Sequence, residues 1–309
     1  MTDSAARAQP VDCVIVGAGV AGLSAALFLG RAERSTVVFD AGAPRVLAVD
    51  SVREFLGHDG EAPADLISLA RSEVLRYGVD IVGERVDTIT PRPGGLFEVA
   101  ARGGTVIAKT VVIATGMVDE LPEVEGLPAV WGRDLHVCPC FDGHEARHGP
   151  CVVIGEPERL AFLASWVWMW CPDVTVMSRY PIGDADAERL ALLDIAVVSD
   201  EPASLIHDGE RLVAVCTTEG RQIACNSIWA ALPWHAASDL AASLCEVDSR
   251  GIAIVDAGGQ TSRPGVWAVG NASNAVAHLA HAVAAGTNVG PLVMVYLLER
   301  EVDSRRSAR

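Results

Sequence analysis

Short apolar runs rich in β-branched residues alternate with longer helix-like segments along this chain, which is the order expected of α/β domains with parallel sheets. The first run begins at Val11 and leads through a glycine-rich turn into an Ala/Leu-rich helix. A second run ends on Asp40, and a helix-like stretch follows over 63–76. The apolar run 110–113 then ends in Ala-Thr-Gly, which predicts a strand that returns to the same sheet.

A second α/β unit is predicted from residue 149 onward. The pattern indicates a strand over 150–155, a helix over 157–171 and another strand over 174–177. A helix between two apolar strands is the connection that a parallel sheet requires. The middle of the chain is therefore predicted to form its own sheet and its own hydrophobic core.

The last part of the chain is predicted to rejoin the first. The run 265–271 is again a strand that ends in a glycine, and a helix-like stretch follows over 278–298. This segment resembles the tail of a nucleotide site rather than a third domain. We therefore expect a discontinuous first domain, residues 1–118 and 246–309, around a second domain over 119–245.

The first turn reads Gly17-x-Gly19-x-x-Gly22 between a strand and a helix. In dinucleotide-binding turns the first glycine permits the tight turn, the second lets backbone amides approach a pyrophosphate, and the third lets the helix pack on its strand. The helix N-terminus adds partial positive charge. Asp40 ends the next strand, about 20 residues on, where an acid accepts hydrogen bonds from a ribose. These residues predict a bound dinucleotide.

Composition narrows the class of partner and the compartment. The 309 residues are 50% hydrophobic and carry a formal net charge of -16, so nucleic acid and anionic membranes would repel the chain. The apolar stretch 160–171 is too short to span a bilayer, and MTDSAARAQP lacks the apolar core of a signal peptide. Eight cysteines in a chain of this length favour free thiols or redox chemistry in a reducing compartment. We expect a cytoplasmic protein.

Further motifs follow the glycine turn in a fixed order: Asp40-Ala41-Gly42 with Pro44-Arg45, Phe55-Leu56-Gly57-His58-Asp59-Gly60, Ala114-Thr115-Gly116, Trp131-Gly132-Arg133, Asp142-Gly143 and 265–271. Together they resemble the thioredoxin reductase-like flavoproteins, which are small two-domain FAD enzymes. The resemblance covers nearly the whole chain. It implies an α/β fold of two Rossmann-like, three-layer domains, with the FAD domain discontinuous, and it implies a homodimer.

The resemblance also implies which residues hold FAD. The pyrophosphate would lie at Gly17, Gly19 and Gly22, and the adenosine ribose at Asp40. The other implied cofactor-binding residues are Arg45, Thr115, Gly116, Gly270, Asn271, His278 and Leu279. The family usually has Asp where this chain has Asn271. Because an amide still accepts from a hydroxyl and also donates, we expect FAD binding to persist with a weaker contact there.

The corresponding turn of the second domain departs from the family pattern. Residues 155–159 read Gly-Glu-Pro-Glu-Arg, so one glycine remains and two carboxylates stand where a pyrophosphate needs amides. After the next strand the chain offers only Arg179 in place of the basic cluster that reads the 2′-phosphate of NADPH. We therefore expect no NADPH use, with the substrate itself as electron donor.

One branch of the family also lacks a working nicotinamide site, namely the FAD-dependent dithiol oxidases of microbial secondary metabolism. Their redox pair is a CxxC before a helix. Aligned on Asp142, Cys138 holds the first position, but Phe141 replaces the second cysteine and Cys140 is displaced by one residue. A CxC pair can close when its Cα atoms lie roughly 4.4 to 6.8 Å apart. Across Pro139 we expect such a bond to be strained and oxidising.

The resulting hypothesis is oxidation of a small-molecule dithiol through a Cys138–Cys140 disulfide, with FAD as electron carrier and dioxygen as final acceptor. Three alternatives stay open. The substrate is oxidised directly at the flavin, including at a carbon or nitrogen centre, without a cysteine relay. The two cysteines are inert thiols. Outside enzymes, the chain is a flavin-binding interaction protein.

Several side chains near these positions are candidates for proton transfer, namely Asp142, His136, His144 and His281. His281 is the strongest histidine, because it follows His278 by one helical turn beside the expected flavin edge. A metal site is a weaker alternative for the cluster His136, Cys138, Cys140, His144, His148 and Cys151. Its spacing matches no zinc pattern, so we expect no metal.

Overall fold

The computed structural model describes residues 9–309, and the chain forms two compact units. The first unit comprises the chain up to Leu47, Glu61–Val118 and His235–Arg309. The second comprises Ala48–Gly60 and Asp119–Trp234. The expectation about a signal peptide in MTDSAARAQP lies outside the described residues, except for its last two positions.

Short strands and longer helices follow one another along the chain. In chain order, the strands are β1 Val11–Val16, β2 Thr36–Phe39, β3 Asp80–Val82, β4 Val86–Arg92, β5 Leu96–Ala101, β6 Gly104–Ile113, β7 Met117–Asp119, β8 Leu135–His136, β9 Cys151–Gly155, β10 Val174–Met177, β11 Ala196–Val198, β12 Pro202–Asp208, β13 Arg211–Thr217, β14 Gln222–Ala224, β15 Ser227–Ala231, β16 Trp234–Ala236 and β17 Val266–Ala268. The helices are α1 Val20–Arg31, α2 Pro63–Leu75, α3 Pro139–Asp142, α4 Pro157–Val167, α5 Asp184–Leu192 and α6 Leu279–Ser307.

The first unit is built on a seven-stranded sheet. Strands β3, β2, β1, β6 and β17 pair in parallel, in that order. The long strand β6 uses its first half to pair antiparallel with β5, and β5 pairs antiparallel with β4. The sequence suggested two separate runs at 105–107 and 110–113, which the structure joins into β6. Because the C-terminal segment supplies β17, this unit is discontinuous, as predicted.

The second unit repeats the parallel arrangement. Its five-stranded sheet has the order β11-β10-β9-β15-β8, with β9 in the central position that β1 holds in the first unit. A separate three-stranded antiparallel sheet is formed by β12, β13 and β14. Where the chain passes from one unit to the other, β7 and β16 form a two-stranded sheet.

The return of the chain to the first unit lies earlier than the sequence suggested. The sequence placed it at residue 246, whereas His235 already belongs to the first unit. The reason is apolar burial, because Leu240, Ala241 and Leu244 pack into the hydrophobic core of that unit. Residues 48–60 belong to the second unit, where the main-chain oxygen of Ala48 closely approaches Gly132.

Helix α4 is shorter than the segment 157–171 that the pattern predicted. It ends at Val167, and residues 168–170 form a turn in which the amide of Trp170 donates to the carbonyl of Val167 at 2.9 Å. The amide of Met169 likewise donates to the carbonyl of Trp166, so the end of the helix tightens to bonds between residues three apart before Pro172 prevents its continuation.

Helix α6 is longer than predicted and packs on α1. A Cβ added to Gly286 would lie 2.0 Å from the main-chain oxygen of Ala21, and one on Gly290 would lie 2.3 Å from the ring of Phe28. Among residues 9–309, α6 is the one helix whose length and mean hydropathy would suffice to cross a membrane. In this structure its glycine side is packed against another helix of the same unit.

Candidate functional site

The glycine turn of the first unit is closed on one side and open on the other. Gly17 has a φ of +110°, and a Cβ there would lie 2.3 Å from the main-chain oxygen of Ala114. A Cβ on Gly22 would lie 2.0 Å from the oxygen of Gly17. By contrast, a Cβ on Gly19, which caps α1, would meet nothing within 4 Å. The open side at Gly19 fits a pyrophosphate approaching the N-terminus of α1.

Asp40 follows β2 and is 7% exposed. Its Oδ2 accepts from Nη1 of Arg71 at 2.5 Å, and its Oδ1 accepts from the amide of Gly42 at 3.2 Å. Both oxygens keep lone pairs for ribose hydroxyls. Arg71 on α2 was not found by sequence reasoning, because it lies 31 residues from Asp40 and no local spacing links them.

Three of the other implied cofactor residues, Thr115, Gly116 and Gly270, follow parallel strands at the same end of the sheet. Thr115 and Gly116 follow β6, and the amide of Thr115 would lie 3.3 Å from a Cβ on Gly17. Gly270 opens a short 3-10 turn, and a Cβ on it would lie 2.9 Å from Cβ of Ala21 in α1. Arg45 begins another 3-10 turn in the same unit.

Asn271 organises the segment that leads into α6. Its Nδ2 donates to the carbonyls of Asn274, Ala275 and Ala277 at 3.0, 3.3 and 3.3 Å. A carboxylate has no proton to donate to these oxygens, so Asp at this position could not make the same contacts. The departure from the family residue therefore has a structural use in this chain, and Oδ1 remains an acceptor.

Two histidines stand at the start of α6. His278 is the N-cap residue, Leu279 is the first helical residue, and the rings of His278 and His281 meet edge to face with centroids 5.4 Å apart. His281 is exposed. An anionic group is stabilised at such a helix N-terminus. Together with the open turn at Gly19, these residues fit a flavin dinucleotide.

The second unit has the same close contact between a glycine turn and a neighbouring strand, but the residues that follow the glycine differ. Gly155 has a φ of +118°, and a Cβ there would lie 2.4 Å from the main-chain oxygen of Ala231. Glu156 caps α4, and Pro157, which has no N–H, is its first residue. Nη1 of Arg159 donates to Oε2 of Glu156 at 3.0 Å and to the carbonyl of Leu232 at 2.8 Å. The turn after Gly155 therefore carries the ion pair of Glu156 and Arg159, whereas the turn after Gly17 has an open side at Gly19.

A disulfide joins Cys138 to Cys140, with the Cα atoms 5.3 Å apart. This separation lies inside the range of roughly 4.4 to 6.8 Å that disulfides adopt. Cys138 caps α3, and its carbonyl accepts from the amide of Phe141 at 3.1 Å. Both cysteines are partly exposed.

The remaining cysteines are free thiols. Burial raises the pKa of Cys13 and of Cys225 to about 12, so both stay protonated at neutral pH. Cys151 and Cys171 are buried side by side in the second unit, and the hydrogen bond between them raises the pKa of Cys151. Their burial distinguishes these four thiols from the partly exposed pair at 138 and 140.

Asp142 ends α3 in the second unit, and His136 lies on β8. Nδ1 of His136 is 3.1 Å from Oδ2 of Asp142, and the imidazole ring lies 4.8 Å from the ring of Trp229. His281, the other proton-transfer candidate, belongs to the first unit. Within residues 9–309 no group of three or more His, Cys, Asp or Glu side chains is arranged to hold a metal ion.

Comparison with known proteins defines the class. A model of the pyridine nucleotide-disulphide oxidoreductase family matches residues 11–156 and 171–286. The chain belongs to this family, and its thioredoxin reductase-like members bind FAD. The family is one of flavin-dependent oxidoreductases, and the predicted fold class and cofactor are confirmed.

Individual relatives agree with this assignment. Thioredoxin reductase tcpT of Claviceps purpurea is 34% identical over 148 residues, which are 47% of this chain and 46% of that protein. Thioredoxin reductase of Treponema pallidum is 28% identical over 84% of this chain and 88% of its own length. The crystal structure of HlmI has a TM-score of 0.94 at 31% identity, covering 99% of this chain and 98% of that one. The matches span 46%, 37% and 53% of the first three curated relatives.

Two glycine substitutions separate cofactor binding from folding. Gly19→Ala places a methyl group in the open side of the turn, so we expect FAD affinity to fall by about tenfold or more, which is about 1.4 kcal/mol, with the melting temperature of the apoprotein unchanged. Gly22→Ala forces a methyl group against backbone, so we expect it to destabilise the apoprotein by about 1–3 kcal/mol and to lose FAD as well. FAD titration and thermal melts of both variants measure this. Equal FAD affinity in Gly19→Ala and the unaltered protein would contradict the placement of the pyrophosphate.

Asn271→Asp restores the family residue, but we expect the loss of the three loop contacts to outweigh any stronger contact with the cofactor and to weaken FAD binding. A carboxylate facing the three carbonyls loses the donor and leaves oxygens opposed, a cost of about 1–3 kcal/mol. FAD titration and the melting temperature of the apoprotein report the effect. Asn288→Asp, the same change at an exposed position of α6, is the matched control. Tighter FAD binding by Asn271→Asp would show that the loop contacts are unimportant.

Proposed function

We propose that this chain is an FAD-dependent oxidase that converts a small-molecule dithiol to a disulfide, with dioxygen as final acceptor and without NADPH. The substrate class is that of the dithiol oxidases of secondary metabolism, which the motifs around Cys138 resemble. The observation that carries the proposal is a partly exposed Cys138–Cys140 disulfide in a unit whose own nucleotide turn is altered.

The altered turn supports the absence of NADPH. A pyrophosphate needs backbone amides at a helix N-terminus, and Pro157 removes one of these. The carboxylate of Glu156, held by Arg159, adds negative charge where the phosphates would lie. Electrons would therefore enter from a dithiol through Cys138 and Cys140 rather than from a nicotinamide.

The exchange balances as two sulfur displacements. A substrate thiolate attacks the Cys138–Cys140 disulfide, and a bond between substrate and enzyme sulfurs forms as the enzyme bond breaks. The second substrate thiol loses its proton and displaces the enzyme sulfur, which releases the substrate disulfide and leaves the enzyme dithiol. When bound, FAD supplies the two-electron acceptor that restores the enzyme disulfide, and dioxygen takes up the electrons and two protons as hydrogen peroxide.

Asp142 is the proposed proton carrier for this exchange, because it ends the short helix that Cys138 caps. His281 is proposed to serve the flavin side, from the first turn of α6. A carboxylate and an imidazole both exchange protons near neutral pH when suitably placed.

The proposal extends to the compartment and the assembly. Free buried thiols such as Cys13 and Cys225 suit a reducing compartment, so we place the enzyme in the cytoplasm. The formal net charge of -16 argues against a nucleic acid or anionic membrane partner. The family resemblance supports a homodimer, which sedimentation velocity of the holoenzyme tests by its mass.

The purified holoenzyme should oxidise dithiothreitol in air and form one hydrogen peroxide per disulfide. Without air, dithiothreitol should bleach the visible flavin absorbance, whereas NADPH should not. In a Cys138→Ser, Cys140→Ser double variant we expect turnover to fall on the order of 100-fold, because exchange through the enzyme disulfide is removed.

Cys216→Ser, which removes a partly exposed free thiol, is the matched control and should turn over normally. Retained turnover in the double variant would instead indicate direct oxidation at the flavin. Rapid bleaching by NADPH would contradict the proposal and point to the reductase chemistry named for tcpT and the Treponema pallidum relative.

A further inference from the structure

The loop that contains the disulfide is closed at its base by two side chains. His136 precedes Cys138 by two residues, and Asp142 follows Cys140 by two residues. Nδ1 of His136 lies 3.1 Å from Oδ2 of Asp142. The two residues that flank the redox pair along the chain are therefore in contact with each other.

The imidazole of His136 is held from the other side by the sheet. Strand β8 pairs in parallel with β15, with His136 opposite Trp229, and the two rings lie 4.8 Å apart. His136 is 6% exposed, and Trp229 is 1% exposed. A ring packed in this way cannot turn freely, so its nitrogen has a fixed position relative to Asp142.

The two side chains approach each other closely without the geometry of an aligned hydrogen bond. Nδ1 of His136 is buried and makes no hydrogen bond of good geometry among the described residues, although the carboxylate oxygen is at hydrogen-bond distance. Such an atom needs compensation for its lost hydration, and the Asp142 carboxylate is what it faces. The carboxylate in turn is fixed through the backbone, since the amide of Asp142 lies 3.5 Å from the carbonyl of Cys138.

We propose that His136 is a positioning residue for the dithiol chemistry, which holds the Asp142 carboxylate at the base of the cysteine loop and offsets its charge. This inference rests on the proposed function, in which Asp142 takes the proton of a thiol as that sulfur displaces an enzyme sulfur. A carboxylate left without its partner would disfavour a nearby thiolate. His136 thereby keeps the enzyme dithiol ready to ionise.

Other charged groups on adjoining segments are largely engaged with each other. Glu145 lies 3.6 Å from Arg53, and Asp134 lies 3.0 Å from Arg133. The remaining titratable side chains just after α3 are His144, Arg147 and His148. Strand β15 has no titratable side chain. Asp142 is thus the group that His136 addresses.

Two substitutions at residue 136 separate pairing from packing. His136→Phe keeps the ring against Trp229 and removes the nitrogen, whereas His136→Asn keeps a polar atom near the place of Nδ1 and gives up ring contact. The measurement is the alkylation rate of Cys138 and Cys140 by iodoacetamide against pH in the anaerobically reduced holoenzyme, resolved by mass spectrometry. It requires no natural substrate and no turnover.

In His136→Phe we expect the pH of half-maximal alkylation to rise by about one unit, the size of effect that a nearby charge produces. We expect a smaller rise in His136→Asn. In an Asp142→Asn background, His136→Phe should add no further shift, because His136 acts through Asp142.

A profile for His136→Phe that matches the unaltered protein, together with lower stability for His136→Asn, would overturn the proposal in favour of packing alone. An equal shift in the Asp142→Asn background would overturn it too. If His136→Phe fails to retain FAD, an unshifted profile in a folded His136→Asn and a folded Asp142→Asn contradicts the inference equally. Failure of every dithiol to be oxidised in air would refute the proposed function and leave the alkylation profiles as a separate result.

Discussion

The close approach of a turn glycine to the end of the neighbouring strand is the constraint on which both units depend. In each unit a residue with positive φ passes so near a carbonyl that a single methyl group would collide with it, at Gly17 against Ala114 and at Gly155 against Ala231. This close contact lets the chain pass directly from the carboxyl end of the central strand into the following helix. The position of that helix N-terminus, and of any anion site that it forms, follows from this close contact.

Both units keep this close contact, but the residues that follow the glycine differ between them. In the first unit Gly19 leaves the turn open and Gly22 lets α1 touch the turn. In the second, Pro157 and the pair of Glu156 with Arg159 occupy the equivalent place. The close contact of the glycine with the neighbouring strand is thus a requirement of the fold, whereas the residues that follow the glycine determine whether a nucleotide can bind. This separation explains how the chain preserves the architecture of the family while the residues that follow Gly155 differ from those that follow Gly17.

The Cys138–Cys140 disulfide lies in a short loop whose two ends are held by packed elements. Cys138 caps a helix of one turn, and the backbone of Asp142 returns to it, so the disulfide lies between two anchored ends. The contact of His136 with Asp142 ties these ends together, and the sheet holds His136 through Trp229. A loop of this kind can open and close one sulfur bond without rearranging the core around it, since the flanking residues belong to packed elements.

The alternation of strands and helices and the glycine turn were predictable from the residues alone, and the family resemblance of the motifs added FAD to the predicted discontinuous first domain. The strands, the helices and the glycine turn depend on residues close together in the chain, such as the spacing of Gly17, Gly19 and Gly22, and therefore leave a local pattern. The discontinuous domain and FAD followed instead from the order of motifs along nearly the whole chain. Tertiary structure alone decided the partnership of Asp40 with Arg71, the contacts of Asn271 with three carbonyls and the pairing of His136 with Trp229. These depend on how strands align and loops fold back. No periodicity records such contacts, because they are selected by packing and charge in three dimensions.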